Sequence, residues 1–147
     1  MTKSIYFPLV ELAPGAENNG LAEMIAGLIR QNLEDSPEKM SDFFKLSGRV
    51  SIVAEDVEVV LTMEFNRGQL MVHNGIVGIP DVTVRGSSED IINLSLIEVI
   101  PSLGLPDPRG EIFRKVWAAT RERRIQVHGA LSNLLLMTRL SKVMSVN

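Results

Sequence analysis

Apolar positions change period along this chain, and the changes mark out its elements. From Leu21 to Leu33 they recur at helical spacing. Leu21, Met24, Ile25, Leu28 and Ile29 share a face, with Glu23, Arg30 and Gln31 opposite. Ser36-Pro37-Glu38 reads as an N-cap followed by proline in the first helical position, opening a short helix that ends near Phe43-Phe44-Lys45. The period then falls to two. Val57, Val59, Leu61, Met63 and Phe65 alternate with Glu58, Val60, Thr62 and Glu64, which describes a sheet with one dry and one wetter face. Val50, Ile52 and Ala54 predict a strand before this one, and Leu70 and Val72 one after it. Asn66-Arg67-Gly68 is a tight hairpin turn, so these strands are antiparallel.

The stretch from Asp81 onward is the most informative. A short strand, Asp81-Val82-Thr83-Val84-Arg85, feeds a helix start, Gly86-Ser87-Ser88-Glu89-Asp90, in which Ser87 and Asp90 have capping-box spacing. That helix carries Ile91, Ile92, Leu94 and Leu96. Pro101, Pro106 and Pro108 break the chain, and Glu111 to Arg123 resumes a helical pattern. A last strand, Arg124-Ile125-Gln126-Val127-His128, meets Gly129 and the helix Ala130–Leu140. A surface helix needs one apolar stripe. In this helix Leu136, Met137, Leu140, Val143 and Met144 fall on one broad face and Leu131, Leu134 and Leu135 toward the other. One face fits a sheet; the second predicts contact with something else, for which an apolar ligand is the expectation. A packed core under a loop explains the same pattern. Residues 1–17, punctuated by Pro8, Pro14 and Gly15, read as an irregular arm.

Bulk properties narrow the class. The 147 residues predict a single domain over residues 1–147, which buries roughly 70% of the surface its unfolded chain exposes. There is no cysteine, which fits a reducing compartment. No run approaches the roughly 18 apolar residues of a membrane span, and the first residues lack an apolar leader. The expectation is a soluble, cytoplasmic protein. A net charge of −3 gives no case for nucleic acid.

This order of elements, and above all Asp81–Ile92 and Ile125–Leu140, resembles the sterol carrier protein type-two family of lipid-binding domains over roughly Gly48 to Val143. The resemblance implies an α+β fold: a five-stranded, mainly antiparallel sheet covered by helices, with an apolar tunnel between them. It also implies binding of fatty acids, fatty acyl thioesters, sterols or phospholipids. This chain departs from the family in residues 98–123, a longer insert with three prolines and its own helix, placed where it could cover or narrow the tunnel mouth.

On this reading the tunnel is lined by Leu94, Ile97, Ile100, Phe113, Trp117, Leu136, Met137, Leu140 and Met144. The methionines suit irregular apolar surfaces, in a cavity or a core alike. Leu103, Leu105, Phe113 and Trp117 either anchor a loop or form a lid or membrane-touching tip. Arg109, Arg114, Lys115, Arg121, Arg123 and Arg124, offset only by Glu111 and Glu122, make a basic stretch in an acidic protein. They form either a solvated face or a contact for an anionic partner, with Arg121, Arg123 and Arg124 as head-group candidates. Catalysis finds little support. The two histidines, His73 and His128, make no zinc motif, and neither a Gly-x-Ser-x-Gly elbow nor a Gly-rich phosphate loop occurs. A non-catalytic lipid carrier without metal or cofactor is the first expectation, with transient membrane contact. The second is an accessory module that presents its apolar last helix or insert to a biosynthetic enzyme or a second copy of itself. An acyl-thioester enzyme is the third.

Overall fold

The computed structural model describes residues 9–95, 99–100, 105–106 and 109–145. Along the chain, β1 (Leu9–Leu12) leads through one tight helical turn at Ala16–Asn18 into α1 (Gly20–Asp35) and α2 (Lys39–Lys45). There follow β2 (Ser47–Ala54), β3 (Val59–Asn66), β4 (Gln69–Asn74), β5 (Val82–Gly86) and α3 (Ser88–Ser95). A two-stranded ribbon, β6 (Val99–Ile100) with β7 (Leu105–Pro106), precedes α4 (Glu111–Arg121) and β8 (Gln126–His128). A second tight turn at Leu131–Asn133 opens into α5 (Leu134–Met144).

The main sheet has six strands in the order β1-β4-β3-β2-β5-β8. The antiparallel meander β2–β3–β4 is the one the alternation predicts. Its second turn carries Arg67 at φ 43° and Gly68 at φ 98°, the two positive values that a two-residue hairpin turn needs. A β-carbon on Gly68 would run into the Phe44 ring, so α2 lies directly on the turn. Val57 stands outside the strand, because the β2–β3 turn extends to Glu58, whose φ is 54°.

The expected five-stranded, mainly antiparallel sheet is corrected in two respects. Leu9–Leu12, inside the supposed irregular arm, forms a sixth strand parallel to β4. β5 pairs in parallel with β2. The second pairing arises because residues 75–81 do not close a hairpin. They cross the outer face of the sheet, where Thr62 Oγ1 donates to the Gly75 carbonyl (2.8 Å) and accepts from the Val77 amide (3.1 Å). The crossover buries Thr62 and Ser51, whose hydroxyls lie 3.3 Å apart. Parallel strands ordinarily need a longer connection; here the extended segment itself covers the sheet.

Facing residues on adjacent strands share one side. Val50 pairs with Met63 and Val82, and Ile52 with Leu61 and Val84. These side chains are buried, and α1, α2 and α5 cover them. Asn19 caps α1: its Oδ1 accepts from the Ala22 amide (3.1 Å), and its Nδ2 donates to the Val60 carbonyl (3.2 Å) and Asn74 Oδ1 (3.0 Å). α3 is capped by Ser87 Oγ, which accepts from the Asp90 amide (3.1 Å), as the sequence predicts. A second cap comes from Asp56 in the β2–β3 turn, which accepts from the Ser88 amide and hydroxyl, both at 2.7 Å. Those two bonds hold the Asp56 carboxyl below the usual aspartate range. The last carbonyls of α5 are bound across the molecule. Asn32 Nδ2 donates to those of Val143 and Met144 (both 3.0 Å), and Lys39 Nζ donates to that of Ser145. Burial pushes the Lys39 ammonium pKa down.

On the outer face, Glu64 accepts from Arg49 Nε (3.0 Å) and Nη2 (2.8 Å) and from His73 Nε2 (3.1 Å). The His73 bond, followed by Arg49, holds the Glu64 carboxyl below its ordinary range. A carboxylate so lowered stabilises the fold above the unfolded glutamate pKa. That contribution fades as pH falls through the folded value. Glu64→Gln should therefore cost about 0.5–1 kcal/mol at neutral pH, a small figure because the group is partly exposed. Urea titrations across the acid range should show wild type and variant converging at low pH. A constant gap across that range would remove Glu64 from the acid response.

Candidate functional site

Between the apolar face of the sheet and the helices lies a cavity of about 270 Å³. Its floor is Val50, Ile52, Met63 and Val84, the paired inward residues of β2, β3 and β5. Met24, Ile25 and Leu28 of α1 close one side. Ile91, Ile92 and Leu94 of α3 stand with Val116, Trp117 and Thr120 of α4 on another. Met137, Leu140, Ser141 and Met144 of α5 complete the wall, and Val127 of β8 borders it. The wall holds no charged side chain among the described residues. Thr120 donates to the Val116 carbonyl at 2.8 Å, whereas Ser141 Oγ has no hydrogen-bond partner among the described residues.

The cavity opens where lining residues are also exposed. Met24, Ile92, Val127 and Trp117 (56% exposed) form an apolar lip. α4 reaches this lip because Val116 and Ala119 pack on Ile125 just beyond the helix, which leaves Trp117 turned outward. The insert at residues 98–123 thus supplies part of the wall through α4.

The structure brings together Leu94, Trp117, Met137, Leu140 and Met144 of the expected lining set. Leu136 does not join them. It is buried beside Gly48 at the start of β2, on the sheet side of α5. Ile97 lies outside the described residues. Ile100 falls in β6 and Phe113 in α4, and their side chains lie outside them too. The second apolar face of the last helix does not meet the cavity. Leu131 (88% exposed), Leu134 and Leu135 point to solvent, and the face that packs on the sheet also lines the void. Sequence reasoning missed α1 as a wall. Met24 and Leu28 are one turn apart beside the buried stripe Ile25–Ile29, so an over-wide stripe was the available signal.

Of the three head-group candidates, Arg124 is committed within the chain, 2.8 Å from Glu122 and 4.0 Å from Asp90. Arg121 and Arg123 have no ion pair among the described residues. A second concavity, about 380 Å³, lies on the outer face among Glu11, Arg49, Glu64 and Asp81. Its charged groups are largely satisfied: Arg49 pairs with Glu64, and Asp81 accepts from the Arg49 amide at 2.9 Å. His73 bonds Glu64 there, and His128 sits opposite Thr83 on β8; neither borders the apolar cavity. Among the described residues no group of three His, Cys, Asp or Glu side chains could hold a metal. None of the described helices is long and apolar enough to cross a membrane.

A sheet with one apolar face, roofed by helices around an apolar void, places this chain in the sterol carrier protein type-two class of folds. The solved structure described as UbiJ-SCP2, a ubiquinone synthesis protein, superposes with a TM-score of 0.58 at 15% identity, covering 87% of this chain and 95% of that one. Two other superpositions are looser. The sec-alkylsulfatase Pisa1 from Pseudomonas sp. gives a TM-score of 0.47 at 14% identity, over 71% of this chain and 13% of its own. The sterol carrier candidate TT1886 from Thermus thermophilus gives 0.39 at 8%, over 79% and 82%. No protein-family model and no curated protein matches the sequence.

Proposed function

We propose that this chain is a non-catalytic binding protein for a lipid with an acyl or similar hydrocarbon chain. The observation that carries the reading is the uncharged apolar cavity with an exposed apolar lip. Each methylene buried yields about 0.8 kcal/mol, and a micromolar complex needs about 8 kcal/mol net, after ordering costs. A chain of more than about ten buried methylenes is therefore required. The cavity of about 270 Å³ and the exposed lip of Met24, Ile92 and Trp117 together offer apolar contact for such a chain. Ser141 is the wall's polar contact, free to donate to a carbonyl or carboxyl oxygen. Any charged head group stays outside, since nothing charged in the wall would meet it.

Native mass spectrometry of protein taken from its producing cell should show a bound lipid mass. Titration with a fluorescent fatty acid should quench Trp117, the sole tryptophan, at micromolar ligand. Protein that is lipid-free and silent to the titration rejects the reading.

A second reading has its own support. Leu131, Leu134 and Leu135 form an exposed apolar face where α5 begins, and the structure that superposes over nearly its whole length is a ubiquinone synthesis protein. An accessory role beside a biosynthetic enzyme would cover those leucines, and the same mass spectra would then show a protein complex.

A further inference from the structure

We propose that the outer face of α4 docks the lip of the cavity onto an anionic lipid bilayer. Val116 and Ala119 face inward, and Arg114, Lys115, Trp117 and Arg121 face out. Arg114 and Arg121 stand three residues before and four after Trp117, the spacing that places side chains together on one helix face. Arg114, Lys115, Arg121 and Arg123 make no ion pair among the described residues. Of the two acidic neighbours, Glu122 is taken up by Arg124, and Glu111 in the first turn of α4 offsets one of the four positive charges. A protein of net charge −3 therefore presents a cationic patch on one helix, with an exposed indole in its middle.

That combination matches a membrane surface better than water or a protein groove. Indole rings settle at the level of lipid head groups, and basic side chains beside them are held by anionic lipids. Met24 and Ile92, exposed on the same lip, add apolar area that a bilayer interface can cover. The patch also borders the opening. A hydrocarbon chain leaving a bilayer docked there would enter the cavity without crossing water, a benefit that rests on the lipid-binding reading. The docking itself does not rest on it and is measured separately.

The probes are vesicles of phosphatidylcholine and phosphatidylglycerol in equal parts, and vesicles of phosphatidylcholine alone. The expected result is co-sedimentation and a blue shift of Trp117 emission with the anionic vesicles only, both weakening as salt rises. Arg114→Gln with Arg121→Gln should weaken vesicle binding about twenty-five-fold, at roughly five-fold per charge, with an unchanged circular dichroism spectrum. Lys115→Gln with Arg121→Gln is a second pair with the same expectation. Absence of co-sedimentation, equal binding to both vesicle types, or wild-type binding by both double variants overturns the proposal. So does an emission shift with soluble polyglutamate and none with vesicles, which would assign the patch to an acidic protein. Leu140→Trp, aimed at the cavity, should still co-sediment. Docking without lipid uptake would leave this proposal standing and remove the previous one; uptake without docking would do the reverse.

Discussion

Replacing Gly129 by alanine should cost about 3–5 kcal/mol, among the largest losses a single substitution produces. Two penalties combine. Gly129 has φ 87°, where an L-residue is strained by about 1–2 kcal/mol. A β-carbon there would also collide with the Asp81 carbonyl oxygen, a backbone atom that cannot turn aside. β8 and the start of α5 would have to move off β5, and Asn133 would lose its bonds to the Asp81 carbonyl (3.1 Å) and the Gly129 carbonyl (2.9 Å). Gly15 supplies the control. Its φ is 95°, yet a β-carbon there would meet nothing within 4 Å. Gly15→Ala should cost only the strain, about 1 kcal/mol. Chemical denaturation of both variants separates the terms, and equal losses would mean that the Asp81 contact is not rigid.

Leu140→Trp should weaken lipid binding at least tenfold, or about 1.4 kcal/mol, while the protein stays folded. Leu140 is buried in α5 and borders the void. An indole there takes volume from empty space as much as from packed atoms. The stability change should stay within about 1–3 kcal/mol, the usual range for an enlarged core residue. Titration with the same fluorescent fatty acid, followed by the probe's own emission, measures the loss. Unchanged affinity in a folded variant would place the binding site elsewhere.

The meander was legible because one face of it is buried, so alternation fixes both the strands and their facing. β1 was hidden for the opposite reason. It has four residues, Leu9 and Glu11 of which are exposed, beside the punctuation of Pro14 and Gly15. Periodicity also carries no record of partners, so the parallel pairings β1–β4 and β2–β5 could not be read from it. β6 and β7, two residues each, are too short for any pattern. The cavity was half legible. Helical spacing put Leu136, Met137 and Leu140 on one broad face, but adjacent positions differ by about 100°. All three are apolar, so only the packed structure shows Leu136 against the sheet and Met137 against the void. Trp117 could be singled out, with Leu103, Leu105 and Phe113, as an apolar residue on the proline-broken insert. Its exposure at the lip depends on Ile125 holding the opposite side of α4, a contact that spacing does not reveal.

The connectivity of the sheet has a kinetic corollary. The meander closes through short turns, whereas β1 joins β4 and β8 joins β5 across long stretches of chain. Local pairings form before sequence-distant ones, whose loop closure costs entropy first. On that ordering the β2–β3 part of the apolar floor, Val50, Ile52 and Met63, would pair before the final helix packs over it. Until then those side chains would face water, and any apolar molecule that covered them would favour the same arrangement.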